Sequence, residues 1–132
     1  MIIIENTSPL DTEAVVLEEI NNQLMQRTEI KVILKRAAGL LKRNDAIELM
    51  AKKNKTDIRN VIPIMMSCTR GNTDVLAKFH IYQDEDTIKH IVPRFRNLRT
   101  LSKADRKKII DDEKAAKMKA KQALLEKSKS SK

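Results

Sequence analysis

Residues 61–82 read VIPIMMSCTRGNTDVLAKFHIY, and the fold class turns on how this stretch is taken. Val61–Met66 is an unbroken apolar run. Gly71-Asn72 then interrupts the chain, and Val75, Leu76, Phe79 and Tyr82 follow at mainly three- and four-residue spacings. Taken with the helical period, this predicts two helices, Asp57–Thr69 and Asp74–Gln83, opened by Thr56-Asp57 and by Thr73. Pro63 falls early in the first, where a missing N–H costs least. An element apolar on every side belongs at the centre of a bundle. Residues 76–82 also alternate in a strand-like way, but the helical count takes in more of the apolar positions.

The same period recurs on both sides. Ser8-Pro9-Leu10-Asp11 is a helix start, with an N-cap hydroxyl and a proline at the first helical position. Leu10, Ala14, Leu17, Ile20 and Leu24 follow on one face. In segment 30–43, Ile30, Ile33, Leu34, Ala37, Ala38 and Leu41 line one side, and Lys31, Lys35, Lys42 and Arg43 the other. Asn44 caps Asp45–Lys53. Asp84-Glu85-Asp86 begins a short helix that reaches Val92 and stops at Pro93. Two glycines and three prolines leave little material for hairpin turns. The expected fold is all-α: a compact bundle of five or six short helices over residues 1–98, then a basic, lysine-rich C-terminal helix or tail over 99–132. That helix is expected to start at Ser102 and run to Leu125, with a thin apolar side.

Charge divides the chain along the same lines. Residues 1–30 hold six acids and one base, residues 31–98 fourteen bases and seven acids, and residues 99–132 twelve bases and five acids. The formal total is +9, and 34% of residues are charged against the usual quarter. Such an excess points to a polyanionic partner. Cys68 stands alone, so no internal disulfide forms, and one cysteine with two histidines makes no zinc pattern. No metal or cofactor is expected. The apolar run Met1–Ile4 is too short for a signal peptide, and Val61–Met66 is far short of a bilayer span. The expected location is intracellular, cytoplasmic or nuclear, and not secreted.

Three constellations could carry a function. Residues 45–66 could form a helix-turn-helix, with Ala51 as the small residue and Val61 and Ile64 inward. Lys52, Lys53, Lys55 and Arg59 would then face phosphates. The turn has no glycine, and two ordinary packed helices would account for the pattern equally. Second, Arg94, Phe95, Arg96 and Arg99 interleave an aromatic with three arginines, and Lys103, Arg106, Lys107 and Lys108 continue the basic run. Arginine forks suit phosphate, and a phenylalanine can stack on an unpaired base; the plain alternative makes Phe95 a core anchor and the arginines a solvated face. Third, the acids Glu13, Glu18 and Glu19 of the first helix complement basic residues 31–59, most simply within the same domain.

Ile62-Pro63-Ile64-Met65-Met66-Ser67-Cys68-Thr69-Arg70-Gly71-Asn72, continued by Asp74-Val75-Leu76 and Phe79, resembles the ankyrin repeat over about 20 residues. In that family the proline opens one helix and the glycine turns into the next. Here Ile62 and Met65 stand where the family has threonine and histidine, and no second copy lies about 33 residues away. The resemblance implies a helical hairpin over 62–82 and a protein-binding role.

Catalysis finds no constellation. Asp84-Glu85-Asp86 reads as a helix start compatible with the dipole. His80 and His90 lack an acidic partner at a telling spacing. There is no Gly-rich phosphate loop, EF-hand or His-Glu-x-x-His. The expected function is non-catalytic binding of nucleic acid, DNA or RNA, or of a nucleoprotein. Phosphate contacts are assigned to Lys52, Lys53, Lys55, Arg59, Arg94, Arg96, Arg99, Lys103, Arg106, Lys107 and Lys108. The alternative is a protein-interaction adaptor whose hairpin (62–82) and C-terminal helix dock on an acidic partner protein.

Overall fold

In the computed structural model, which describes residues 12–130, the decisive stretch is a β-hairpin. Four strands, β1 (Ala14–Asn22), β2 (Arg27–Leu34), β3 (Val61–Cys68) and β4 (Val75–Tyr82), form one antiparallel sheet in the order β1-β2-β4-β3. Helix α1 (Arg43–Asn54) and a 3-10 turn (Ile58–Asn60) link β2 to β3. Helices α2 (Glu85–Ile91), α3 (Arg94–Arg99) and α4 (Lys103–Ser130) follow β4. The chain divides into two units, one up to Asn97 and one from Leu98 onward.

The all-α bundle is therefore overturned. So are the helix-turn-helix over 45–66 and the ankyrin-like helical hairpin over 62–82, since residues 61–68 and 75–82 are strands. The predicted start at Ser8-Pro9 lies outside the described residues, and the segment it was to open is strand β1. The helices predicted over 45–53 and 84–92 are present as α1 and α2.

The ambiguity has a physical origin. In β2, Ile30, Val32 and Leu34 point to one face and are buried, as period-two alternation requires. Ile33 beside Leu34 also satisfies a helical count. The β-branched content of 30–33 favours the strand once a neighbour exists to pair with. Val61–Met66 is a short apolar run, for which periodicity alone does not separate strand from helix. Pro63 is tolerated because β3 is an edge strand and a bulge follows between Pro63 and Met65. Gly71, at φ +76°, turns β3 into β4.

One sheet face carries the main core. Ile30, Val32 and Leu34 of β2, Val75, Ala77, Phe79 and Ile81 of β4, and Val61 of β3 pack with Ala46, Ile47, Leu49, Met50 and Ala51 of α1. Asp45 helps start α1 by accepting the Lys42 backbone N–H at 3.2 Å. The reverse face carries a smaller cluster of Ile62, Tyr82, Ile88 and Val92.

A polar group adjoins that cluster through the Tyr82 hydroxyl. Arg27 donates to Glu29 Oε1 at 2.8 Å and to the Tyr82 hydroxyl at 3.2 Å. The arginine's hydrogen bond holds the Glu29 carboxyl below its ordinary range. His80 is 8% exposed, its Nε2 has no hydrogen-bond partner, and Glu29 Oε2 stands 3.8 Å away. Burial, with Arg27, Lys78 and Arg96 nearby, pushes its pKa down to about 4 against the partial pull of Glu29. The unfolded chain thus takes up a proton near pH 6.5 that the folded chain refuses until about pH 4. Stability contributed by neutral His80 is complete above pH 6.5 and is lost as pH falls through that window. One proton sets a ceiling of about 1.4 kcal/mol per pH unit, and solvent screening keeps the loss below it. Urea titrations of wild type and His80→Gln should therefore show their stability difference shifting against wild type as pH drops from 7 to 4. A pH-independent difference would mean that the ring is not held neutral.

Candidate nucleic-acid interface

Two chain crossings meet at one end of the sheet. The β2–α1 loop, residues 35–42, lies against the β3–β4 turn, residues 69–74, with the Ala38 N–H donating to Thr73 O at 2.9 Å. Asp74 fixes the contact: its Oδ1 accepts the Arg36 N–H at 3.0 Å, and its Oδ2 meets Lys35 Nζ at 3.3 Å. These donors, the Arg36 amide first, hold the Asp74 carboxyl below its usual range. Arg36 sits in the left-handed region at φ 53°, a conformation that a non-glycine residue keeps only when its surroundings enforce it.

The two pinned loops and the start of α1 thus carry a set of four bases. Arg36, Lys42 and Arg43 come from one loop and the start of α1, and Arg70 from the facing turn; all four are exposed. Sequence reasoning missed this cluster as a site. Lys42 and Arg43 read as the polar side of a helix over 30–43, and Arg70 as part of the ankyrin-like stretch. Only strand pairing brings residue 73 beside residue 38, and no local sequence pattern carries that information. Asp74→Ala should free both loops, and faster amide exchange at Arg36 and Ala38 checks it; unchanged exchange would assign the pinning to the backbone bond alone.

The residues picked from sequence distribute unevenly. Lys52 and Lys53 occupy the last turn of α1, Lys55 caps it at φ 53°, and Arg59 lies in the 3-10 turn. All four are exposed, but Lys53 Nζ donates to Ala14 O at 2.5 Å and so ties α1 to β1. Arg94 and Arg99 are exposed on α3. Arg96 is half-buried: its Nη1 donates to Ile64 O at 3.1 Å and Pro63 O at 3.4 Å, and its guanidinium lies 5.6 Å from the centre of the Phe95 ring. Phe95 itself is 50% exposed, so it is not the core anchor.

In the second unit, Ser102 caps α4 by accepting the Asp105 N–H at 3.2 Å. Lys103, Lys107 and Lys108 are exposed on its first turns. Arg106 is turned back, with Nε on Leu98 O at 3.0 Å and Nη2 on Leu101 O at 3.2 Å. Helix α4 is 28 residues long with none buried, about 42 Å of single helix. Lys107, Lys114 and Lys121 recur every seven residues, on one side of it.

Chemically, these surfaces offer guanidinium forks and ammonium groups for phosphate. Among the described residues, no group of three or more histidine, cysteine or carboxylate side chains could hold a metal ion. Among them, no helix is long and apolar enough to cross a membrane.

No curated protein matches the chain significantly. The family model for ribosomal protein S24e matches residues 12–101, which takes in every described strand and helices α1 to α3 and leaves α4 outside. On that match, which covers more than half of the 132 residues, the chain belongs to the ribosomal protein S24e family, a structural and non-catalytic component of the ribosome.

Proposed function

We propose that this chain binds ribosomal RNA inside the cell as a non-catalytic part of the ribosomal nucleoprotein. The observation that carries this reading is the basic loop pair at one end of a sheet whose family is ribosomal. Arg36, Lys42, Arg43 and Arg70 contact phosphates there. Lys52, Lys55 and Arg59 extend the contact from the end of α1, with Lys53 contributing less because Ala14 O holds it. Arg94 and Arg99 act from α3, and Lys103, Lys107 and Lys108 from α4. Arg96 and Arg106 serve first as local clamps. RNA is favoured over DNA by the family alone. The adaptor reading keeps the C-terminal helix but loses the helical hairpin, one of its two supports.

Short, pinned loops suit this task. A base held on an ordered backbone loses less freedom on binding than one on a mobile tail. Each phosphate neutralised releases counterions, so affinity falls with salt by about 0.7–0.9 in log–log slope per contact. Polarisation titrations against labelled ribosomal RNA fragments should give a slope of about −4 or steeper. Binding indifferent to salt, or no binding at low salt, removes the proposal.

A further inference from the structure

The two edges of the sheet are treated in opposite ways. On β3, Pro63 has no N–H to offer, a bulge follows it, and Arg96 occupies the Pro63 and Ile64 carbonyls. These are the devices that stop an edge from recruiting another strand. Strand β1 has a bulge of its own, between Val16 and Glu18, and two glutamates, but it has no proline and no arginine on its carbonyls. It runs for nine residues without proline, lysine or arginine, and among the described residues it pairs with β2 alone. Lys53 takes the Ala14 carbonyl at its first residue; beyond that, the described structure places nothing on the outer side.

The side chains of β1 are as exposed as its edge. Val15, Val16, Leu17 and Ile20 are 38–51% exposed. The bulge between Val16 and Glu18 leaves apolar residues on both faces. Glu18 and Glu19 are neighbours, so they project to opposite faces, and no described ion pair holds either. With Glu13, residues 12–22 carry three acids and no base in a chain of net charge +9.

From this we infer that the outer edge of β1 takes up an extended basic segment of another protein as a fifth strand. Backbone bonds along the open edge would supply affinity, and side-chain contacts specificity. The pattern Val15-Val16-Leu17-Glu18-Glu19-Ile20 is matched by two adjacent basic residues flanked by β-branched ones. The bases then meet Glu18 and Glu19 on the two faces, and the apolar residues cover the exposed valines and isoleucine. RNA is excluded by the sign of the charge. A second copy of this chain would set Glu18 and Glu19 against their own kind, which is destabilising across strands.

The test uses the full chain, labelled with nitrogen-15, and the probe acetyl-Thr-Val-Val-Lys-Lys-Val-Val-Thr-amide. Amide shifts should be confined to Val15–Ile20 and their β2 partners as the probe rises to about 1 mM, a weak-binding range. E18K/E19K should weaken binding at least tenfold while its spectrum elsewhere stays unchanged. A probe N-methylated at alternate residues should lose binding from the methylated edge. The idea is overturned if a probe with glutamates for lysines shifts the same amides equally, or if the lysine probe shifts none. Full exchange protection of both edges of β1 in the free chain also overturns it, since the chain's own first residues or a second copy would then occupy the site. No RNA enters the experiment, so its failure leaves the RNA reading where it stands.

Discussion

Replacing Phe79 by alanine will destabilise the sheet unit by about 3–5 kcal/mol. Its side chain is 0% exposed, and it stands across from Ile30 on β2 and Pro63 on β3. It is therefore the aromatic that joins both neighbouring strands of β4 to the helix-covered core. A domain of this size has about 5–15 kcal/mol in total, so the variant sits near the edge of folding. Urea denaturation should show the midpoint falling steeply with an unchanged slope. Phe79→Leu, which keeps most of the volume, should cost less than about 1.5 kcal/mol. A loss below about 1 kcal/mol for Phe79→Ala would mean that the surrounding chains collapse freely into the gap, contrary to a core pinned on two strands.

The second large effect concerns RNA. Neutralising the loop cluster together, as R36Q/K42Q/R43Q/R70Q, should weaken binding to ribosomal RNA roughly 100-fold at physiological salt and reduce the salt slope by about 3. All four side chains are exposed, so thermal unfolding should barely move. Lys35 is left in place because it is engaged with Asp74. The comparison set, K52Q/K55Q/R59Q, measures what the end of α1 contributes. If that set costs more than the loop cluster, the centre of the interface lies on α1, and the loop end is peripheral.

How much of this was written in the sequence depends on the range of the interactions involved. Helix α1 was legible because Asp45 and a string of good helix formers act within a few residues of one another, although the cap is Lys42 and not the expected Asn44. The start of α4 at Ser102 was legible for the same reason. Segments 14–22, 27–34, 61–68 and 75–82 were misread because each contains adjacent apolar residues that satisfy both periods. What chooses between the periods is a partner strand far away in sequence. Like that of Ile30, Val32 and Leu34, the alternation of 76–82 was a local trace of the sheet. It was outweighed by Val75 and Leu76, which sit side by side but point to opposite faces. The site followed the same rule. Bases adjacent in sequence, such as Lys52 and Lys53, could be picked out, whereas the loops that carry Arg36 and Arg70 meet only through the β2–β4–β3 pairing. Geometry also demoted some of the residues picked: Arg96 and Arg106 bind backbone carbonyls, a fate that their charge does not announce.

The Pro63 bulge has a consequence for misassembly. A fibre built by stacking sheets edge to edge needs two templates on every molecule, one to receive and one to offer. Among the described residues, this chain offers one. Whatever joins at β1, the growing sheet meets Pro63 and the Arg96 guanidinium at its far side, and polymerisation ends there. An edge left open for a partner is safe in a crowded cell when the opposite edge cannot propagate the error.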